Sequence, residues 1–399
     1  MPESPEVRKQ RTRGLFFLGL VVGCVGFAVA LQMAANSNFV AEEMGLDGFH
    51  QGVLETFREV CGITALGLLA VLAGLAEPRV AAAMLMLFGV GLGSYAVVPD
   101  YFWLVIASMV WSQGMHVWMP LPQSMPLALA EPGRAGWRLG QIRAAGAVGA
   151  GVGLGLALIL IYSKVKIRPL FLLAGGTAVL GAVACFGIPR RIKTPGPRLV
   201  FRRRYGLFYL LSFLEGWRKQ IFVAFAGFLL VKRHGIPLTT MLWLWLAIRS
   251  IGWVASPVVG RVIDRLGERR VLMFYFAGLM LVFVGYAAIQ NPVWLCVLYV
   301  IDSAFFVFAM ALTTYVNRIA PENEHTQTLS MGVAMNHVAA VTMPLAGALL
   351  WKSVGYQWVF FLGAAVAAVS ALVALRIPAR GDAQSAPAGA ASPAAETVK

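Results

Sequence analysis

Long apolar stretches recur from one end of this chain to the other, at 14–36, 51–73, 80–98, 101–125, 139–162, 168–188, 205–231, 238–260, 270–289, 293–316, 327–351 and 357–376. Most approach or exceed the roughly 20 helical residues needed to cross about 30 Å of hydrocarbon. In lipid each backbone polar group must be bonded within its own segment, so a run of such stretches folds as helices. With 59% hydrophobic and only 13% charged residues, the chain cannot cover such helices with a water-soluble surface. The expectation is an all-α integral membrane protein of twelve transmembrane helices, with only short connections between them.

The basic cluster Arg8, Lys9, Arg11 and Arg13 resembles the start of a signal peptide, but the apolar run behind it is too long for one. It reads as a retained first helix. With the N-terminus placed inside, most of the 33 Lys and Arg fall in cytoplasmic segments, which favours an N-in, C-in topology in a bacterial cytoplasmic (inner) membrane. Lys164, Lys166 and Arg168 are the exception, since this topology puts them outside. The net charge of +15 has no basic, aromatic-interleaved module behind it, so membrane lipids and not nucleic acid are the expected partners. Cys24, Cys61, Cys185 and Cys296 lie far apart inside apolar runs and read as small hydrophobes.

Arg190, Arg191, Lys193, Arg198, Arg202, Arg203 and Arg204 stand beside Pro189, Pro195, Gly196 and Pro197, as a linker between two halves would. The expected organisation is a cytoplasmic N-terminal tail (1–13), a six-helix bundle (14–188), a basic linker (189–204), a second six-helix bundle (205–376) and a disordered tail (377–399) rich in Ala, Ser, Pro and Gly. Gly14-Leu-Phe-Phe-Leu in the first span returns as Gly206-Leu-Phe-Tyr-Leu in the seventh, and each is followed by a turn glycine, Gly45 or Gly235. A repeat of this kind points to two pseudo-symmetric bundles with a binding site between them.

Between the eighth and ninth spans stands Gly260-Arg-Val-Ile-Asp264-Arg265-Leu-Gly267-Glu-Arg269-Arg270. It resembles the loop motif of the major facilitator superfamily (MFS), in which two glycines, an Asp-Arg pair and two basic residues join neighbouring helices on the cytoplasmic face. The resemblance implies the MFS fold and a conformational latch made of Gly260, Asp264, Arg265, Gly267, Arg269 and Arg270. The glycines would allow close helix approach and a tight turn. The first-half counterpart, Gly74-Leu-Ala-Glu77-Pro78-Arg79, lacks the Asp-Arg pair. Arg218-Lys219-Gln220-Ile-Phe222 and Asn336-His337 are similar to runs in uncharacterised bacterial branches of that superfamily. The glycines Gly146, Gly149, Gly151, Gly153 and Gly155 lack the Gly-Pro pair of its drug-exporting antiporters.

Several ionisable residues fall near mid-span: Glu55, Arg58 and Glu59 in the second, Glu215, Arg218 and Lys219 in the seventh, Arg249 in the eighth, Asp302 in the tenth, and His337 beside Asn336 in the eleventh. A charge there costs several kcal/mol (roughly 3 on insertion scales) unless paired or hydrated. These residues are therefore candidates for substrate binding or proton coupling, and the resemblance brings Glu59 close to His337. Four acids against four bases equally suit static pairs that fix helix register. His116, near Trp118, Pro120 and Pro122, reads as a packed histidine. No Walker loop, GxSxG or HExxH is present, so no enzyme, cofactor or metal site is expected. The resulting expectation is a monomeric secondary transporter that moves a small molecule by alternating access, with coupling to a proton and an anionic substrate as its finer points. A non-transporting sensor or assembly factor on the same fold is the alternative.

Overall fold

The computed structural model describes residues 5–131, 134–192 and 201–379. Its α-helices are α1 (Pro5–Asn38), α2 (Gly48–Val71), α3 (Glu77–Gly93), α4 (Tyr101–Trp118), α5 (Leu121–Ala128), α6 (Ala135–Tyr162), α7 (Arg168–Ala184), α8 (Gly206–Ile221), α9 (Gly227–His234), α10 (Leu238–Leu266), α11 (Glu268–Ala288), α12 (Pro292–Phe305), α13 (Met310–Ile319), α14 (Glu322–Ser353) and α15 (Tyr356–Ala374). The π-helical turn Phe222–Ala226 joins α8 to α9, the 3-10 turn Phe306–Ala309 joins α12 to α13, and α5 follows α4 after a break at Met119 and Pro120. Among the described residues the helices thus make twelve rods that run back and forth across the molecule. Nine helices of this set are long and apolar enough to cross a membrane. The other three rods are α2, α4 with α5, and α8 with α9, and they carry many of the polar side chains discussed below.

The start of α1, the end of α7, the start of α8 and the end of α15 lie at one end of the rods, called here the terminal end. The linker residues Lys193, Pro195, Gly196, Pro197 and Arg198, and the tail from Arg380 onward, lie outside the described residues. The first helix begins at Pro5, so Arg8, Lys9, Arg11 and Arg13 ride on its opening turns.

The two halves repeat each other in detail. Gly45 (φ 67°) and Gly235 (φ 63°) both turn in the left-handed region. In each half the amide after the turn glycine reaches back, Leu46 to the Val40 carbonyl (3.0 Å) and Ile236 to the Leu230 carbonyl (3.1 Å). Asp100 caps α4 and Asn291 caps α12. Tyr95 packs on Phe171 at 5.0 Å, as Tyr286 packs on Phe360 at 4.9 Å, with both tyrosines fully buried.

The repeat extends to the ion ties at the terminal end. Glu131 pairs with Arg11 (3.3 Å) and Arg138 (2.6 Å), and Glu324 pairs with Arg204 and with Arg202 (3.2 Å). Glu77 opens α3 buried and bonded to Ser124, and Glu268 opens α11 buried and 3.4 Å from Arg318. All these ties stay within one half.

Among the described residues, hydrogen bonds between the halves gather at the opposite, distal end. Asn38 donates to the Ile236 carbonyl (3.1 Å), and Lys232 reaches the carbonyls of Ala41 (3.5 Å) and Gly45 (3.4 Å). Arg168, the basic residue that the expected topology accommodates poorly, is held there by Glu43 (2.7 Å) and by the carbonyls of Ala96 (3.3 Å) and Val98 (3.0 Å). Its charge is met by local partners.

Glycine faces set the closest helix contacts. A Cβ on Gly149 would fall on the Gly23 backbone and one on Gly26 on the Gly146 carbonyl, which brings α6 against α1, whereas Gly151 and Gly155 face open space. Across the halves, Gly48, Gly52 and Gly62 bring α2 against α14, where a Cβ on each would fall, in turn, on Trp351, 2.6 Å from the Pro344 carbonyl and 2.5 Å from His337.

Candidate functional site

The π turn after α8 begins three residues beyond Lys219. It aims Phe225 into the space left by Gly52 and Gly347, where any side chain would collide with the ring. The same turn sets Phe222 against Tyr299, with centroids 4.8 Å apart. Below it, α8 turns its polar face inward and builds the most enclosed charged group of the molecule.

Arg218 is fully buried there. Its Nη2 donates to Glu215 (2.6 Å) and to the Tyr275 hydroxyl (2.6 Å), and its Nη1 donates to Asp302 (3.3 Å). The guanidinium lies 4.0 Å above the Phe306 ring, on the turn that follows Asp302. Tyr275 in turn donates to Glu215 (2.8 Å). Glu215 therefore has two donors, whereas Asp302 has one long bond and a second oxygen without a partner. Two carboxylates share one cation in a region closed to water.

In the first half, Glu55 is buried, paired with Arg58, and bonded by Gln51 (3.2 Å). Arg58 lies over Trp111 at 4.3 Å. This pair is electrically balanced. Glu59, one turn on, leaves it and points across to α14, where the His337 Nδ1 is 3.5 Å away. His116, read from the sequence as a packed residue, joins them with its Nε2 at 3.9 Å from the Glu59 carboxylate. Three potential ligand atoms of Glu59, His116 and His337 lie within 4.8 Å of one another. The expectation that the spans bring no such group together is corrected by the register of α2, α4 and α14, which sets the three side chains at one level.

The remaining bases have no acid of their own among the described residues. Lys219 donates to Asn336 (2.9 Å), and Asn336 donates to the Ser212 carbonyl (3.4 Å). Arg249 is exposed, with its guanidinium 5.6 Å from the Trp245 ring. The even tally of acids and bases thus conceals an uneven layout, with Asp302 sharing an arginine already paired, Glu59 facing only histidines, and Lys219 and Arg249 left without an acid within ion-pair distance among the described residues.

At the motif, helix continues past the expected end of the eighth span. Asp264 and Arg265 belong to the last turns of α10, Gly267 alone makes the connection (φ 78°), and Arg269 and Arg270 stand in the first turn of α11. A Cβ on Gly260 would meet nothing within 4 Å, so the close approach expected there is absent. Open space beside its Cα is the reason. The groove at this corner is lined by Arg265, Glu268, Arg269, Arg270 and Arg318.

Sequence reading missed Tyr275, Glu268, Arg318 and the ligand role open to His116. Tyr275 sits in an aromatic run that carries no polar signal, and His116 gains its neighbours only through helix register.

The family model described as Major Facilitator Superfamily matches residues 207–398. No curated protein sequence matches the chain. Among solved structures, the chain is similar to the nucleoside transporter NupG, with a TM-score of 0.74 at 14% identity, covering 91% of this chain and 98% of that one. It is similar to a bacterial homologue of the human lysosomal transporter Spinster, described as inward-facing and unoccupied, with a TM-score of 0.72 at 12% identity over 94% and 97% of the two chains. A sulfate complex of the peptide transporter POT gives a TM-score of 0.72 at 15% identity over 93% and 98%.

Proposed function

We propose that this chain, whose residues 207–398 match the Major Facilitator Superfamily model, is a secondary active transporter of that superfamily that moves a small solute by alternating access, driven by protons. The observation that carries the reading is the pair Glu215 and Asp302 on one buried arginine. A second unpaired carboxylate in a water-free site is costly, so the group favours one proton in addition to the Arg218 charge. Asp302 is the acceptor, because Glu215 already takes bonds from Arg218 and Tyr275 while one Asp302 oxygen has none.

Lys219 and Arg249 support an anionic solute. Neither has an acid within ion-pair distance among the described residues, so each can offer its charge to a substrate carboxylate or phosphate. With the N-terminus in the cytoplasm of a bacterial cell, the terminal end faces inward and the bonded distal end outward. The described state is then inward-facing. In this reading Asp264, Arg265, Arg269 and Arg270 latch the opposite state.

The test compares Asp302→Asn with the wild type in proteoliposomes. Accumulation against a gradient should disappear while exchange of labelled solute persists. If Asp302→Asn still accumulates solute in response to a proton gradient, Asp302 does not carry the coupling proton.

A further inference from the structure

Glu59, His116 and His337 come from three helices, two in the first half and one in the second. The hydrogen bonds around His116 fix its tautomer. The Ser112 hydroxyl donates to the Arg58 carbonyl (2.8 Å), so its oxygen is free to accept. The His116 Nδ1 lies 2.9 Å from the Ser112 carbonyl and 3.1 Å from that hydroxyl oxygen, both acceptors, and so carries the hydrogen. In the neutral ring, Nε2 then presents a lone pair toward the Glu59 carboxylate.

His337 Nδ1 has no hydrogen-bond partner, although it too faces that carboxylate. At 3.5 Å and 3.9 Å the separations exceed those of charge-assisted hydrogen bonds, which contract to about 2.7–2.9 Å. They approach the spacing of about 3.3 Å between ligand atoms around a tetrahedral ion with bonds near 2.0–2.1 Å. Gly62 provides the room, since a Cβ there would lie 2.5 Å from His337 and 3.1 Å from His116.

We propose that Glu59, His116 and His337 form a binding site for one divalent transition-metal cation of the zinc class, bridging the two halves at mid-molecule. Two imidazoles and a carboxylate suit such an ion, and the Ser112 contacts supply the outer support that orients a ligating histidine. The three side chains keep 12–14% of their surface exposed, which leaves a path in and a place for water as the fourth ligand. Arg58 and Lys219 are the cations nearby, and Lys219 acts electrostatically on Glu59 and opposes the ion. Because His337 belongs to the other half, the bound ion holds α14 against α2 and α4 and favours the closed distal end. The site stands whether or not the chain carries solutes.

The test titrates zinc and cobalt into the purified, chelator-stripped full chain. We expect one ion per chain, a visible cobalt absorption band, and a zinc absorption-edge spectrum with two imidazole ligands and no sulfur. His116→Gln, His337→Gln and Gly62→Ala should each weaken binding about tenfold or more. Lys219→Met should tighten it, and His234→Gln, at the end of α9, should leave it unchanged. Failure of the wild type to take up an ion, a sulfur ligand, or affinity unaffected by His116→Gln and His337→Gln in folded protein would each overturn the proposal. The spectrum of the wild type decides the matter even if every variant fails to fold.

Discussion

At the residue scale, the account rests on Arg218 and the two acids it serves. Removing the cation leaves a buried carboxylate uncompensated and both acids without their shared donor, so Arg218→Gln should cost about 3–5 kcal/mol, read as a lowered midpoint of thermal unfolding in detergent. An unchanged midpoint would mean that water reaches the group. Outside the spans, the bond from Arg138 and then the neighbouring charges hold the Glu131 carboxyl at about 2. Hydrogen bonds from Arg204 and Tyr205 hold Glu324 below its usual range. A depressed carboxylate stabilises the fold above its free value, near 4.5, and loses that contribution as pH falls toward the folded value. The double variant Glu131→Gln, Glu324→Gln should therefore unfold earlier than the wild type at neutral pH, with the difference shrinking below about pH 4. A gap that persists undiminished in acid would remove these ties from the account. Most of the charged side chains discussed here could be picked from the sequence, because a charge inside an apolar run is conspicuous. Their partners could not, since Glu55 and Glu59 look alike until helix register sends one to Arg58 and the other across the halves.

At the element scale, glycine decides which helices touch. Gly149→Ala should cost about 1–3 kcal/mol, because the new methyl falls on the Gly23 backbone. Gly151→Ala, on the open face two residues later, should be neutral or stabilising by up to about 1 kcal/mol through helix propensity. Equal effects would mean that α1 and α6 do not meet as described. Gly267 carries the turn of the motif with φ 78° and ψ 159°, a conformation nearly confined to glycine. Twelve apolar runs were enough to foresee the rods. They did not reveal the π turn after α8 or the extension of α10 to Leu266, because hydropathy reports burial in lipid and not the hydrogen-bond ladder of a helix end.

At the scale of the whole molecule, the repeat glimpsed in two five-residue runs extends to turns, caps, tyrosines and ion ties. Gly45 and Gly235, Tyr95 and Tyr286, and Glu131 and Glu324 keep the same residue type, but they are isolated positions in otherwise different sequence, which is why the sequence alone carried so little of the symmetry. The contacts between halves at the distal end give a direct expectation for the resting protein. After replacement of the native cysteines, cysteines at Asn38 and Ile236 should cross-link without added solute, and the linked protein should not turn over. Absence of the link would place the halves apart at that end. The central claim is that solute movement and proton movement share one obligatory cycle. Its most direct measurement is the internal pH of proteoliposomes, followed with a trapped indicator as anionic solutes are added one class at a time without an imposed gradient. The account predicts that the transported class shifts internal pH in the wild type and leaves it unchanged in Asp302→Asn that still exchanges labelled solute. Solute uptake by the wild type with no accompanying pH change would contradict it.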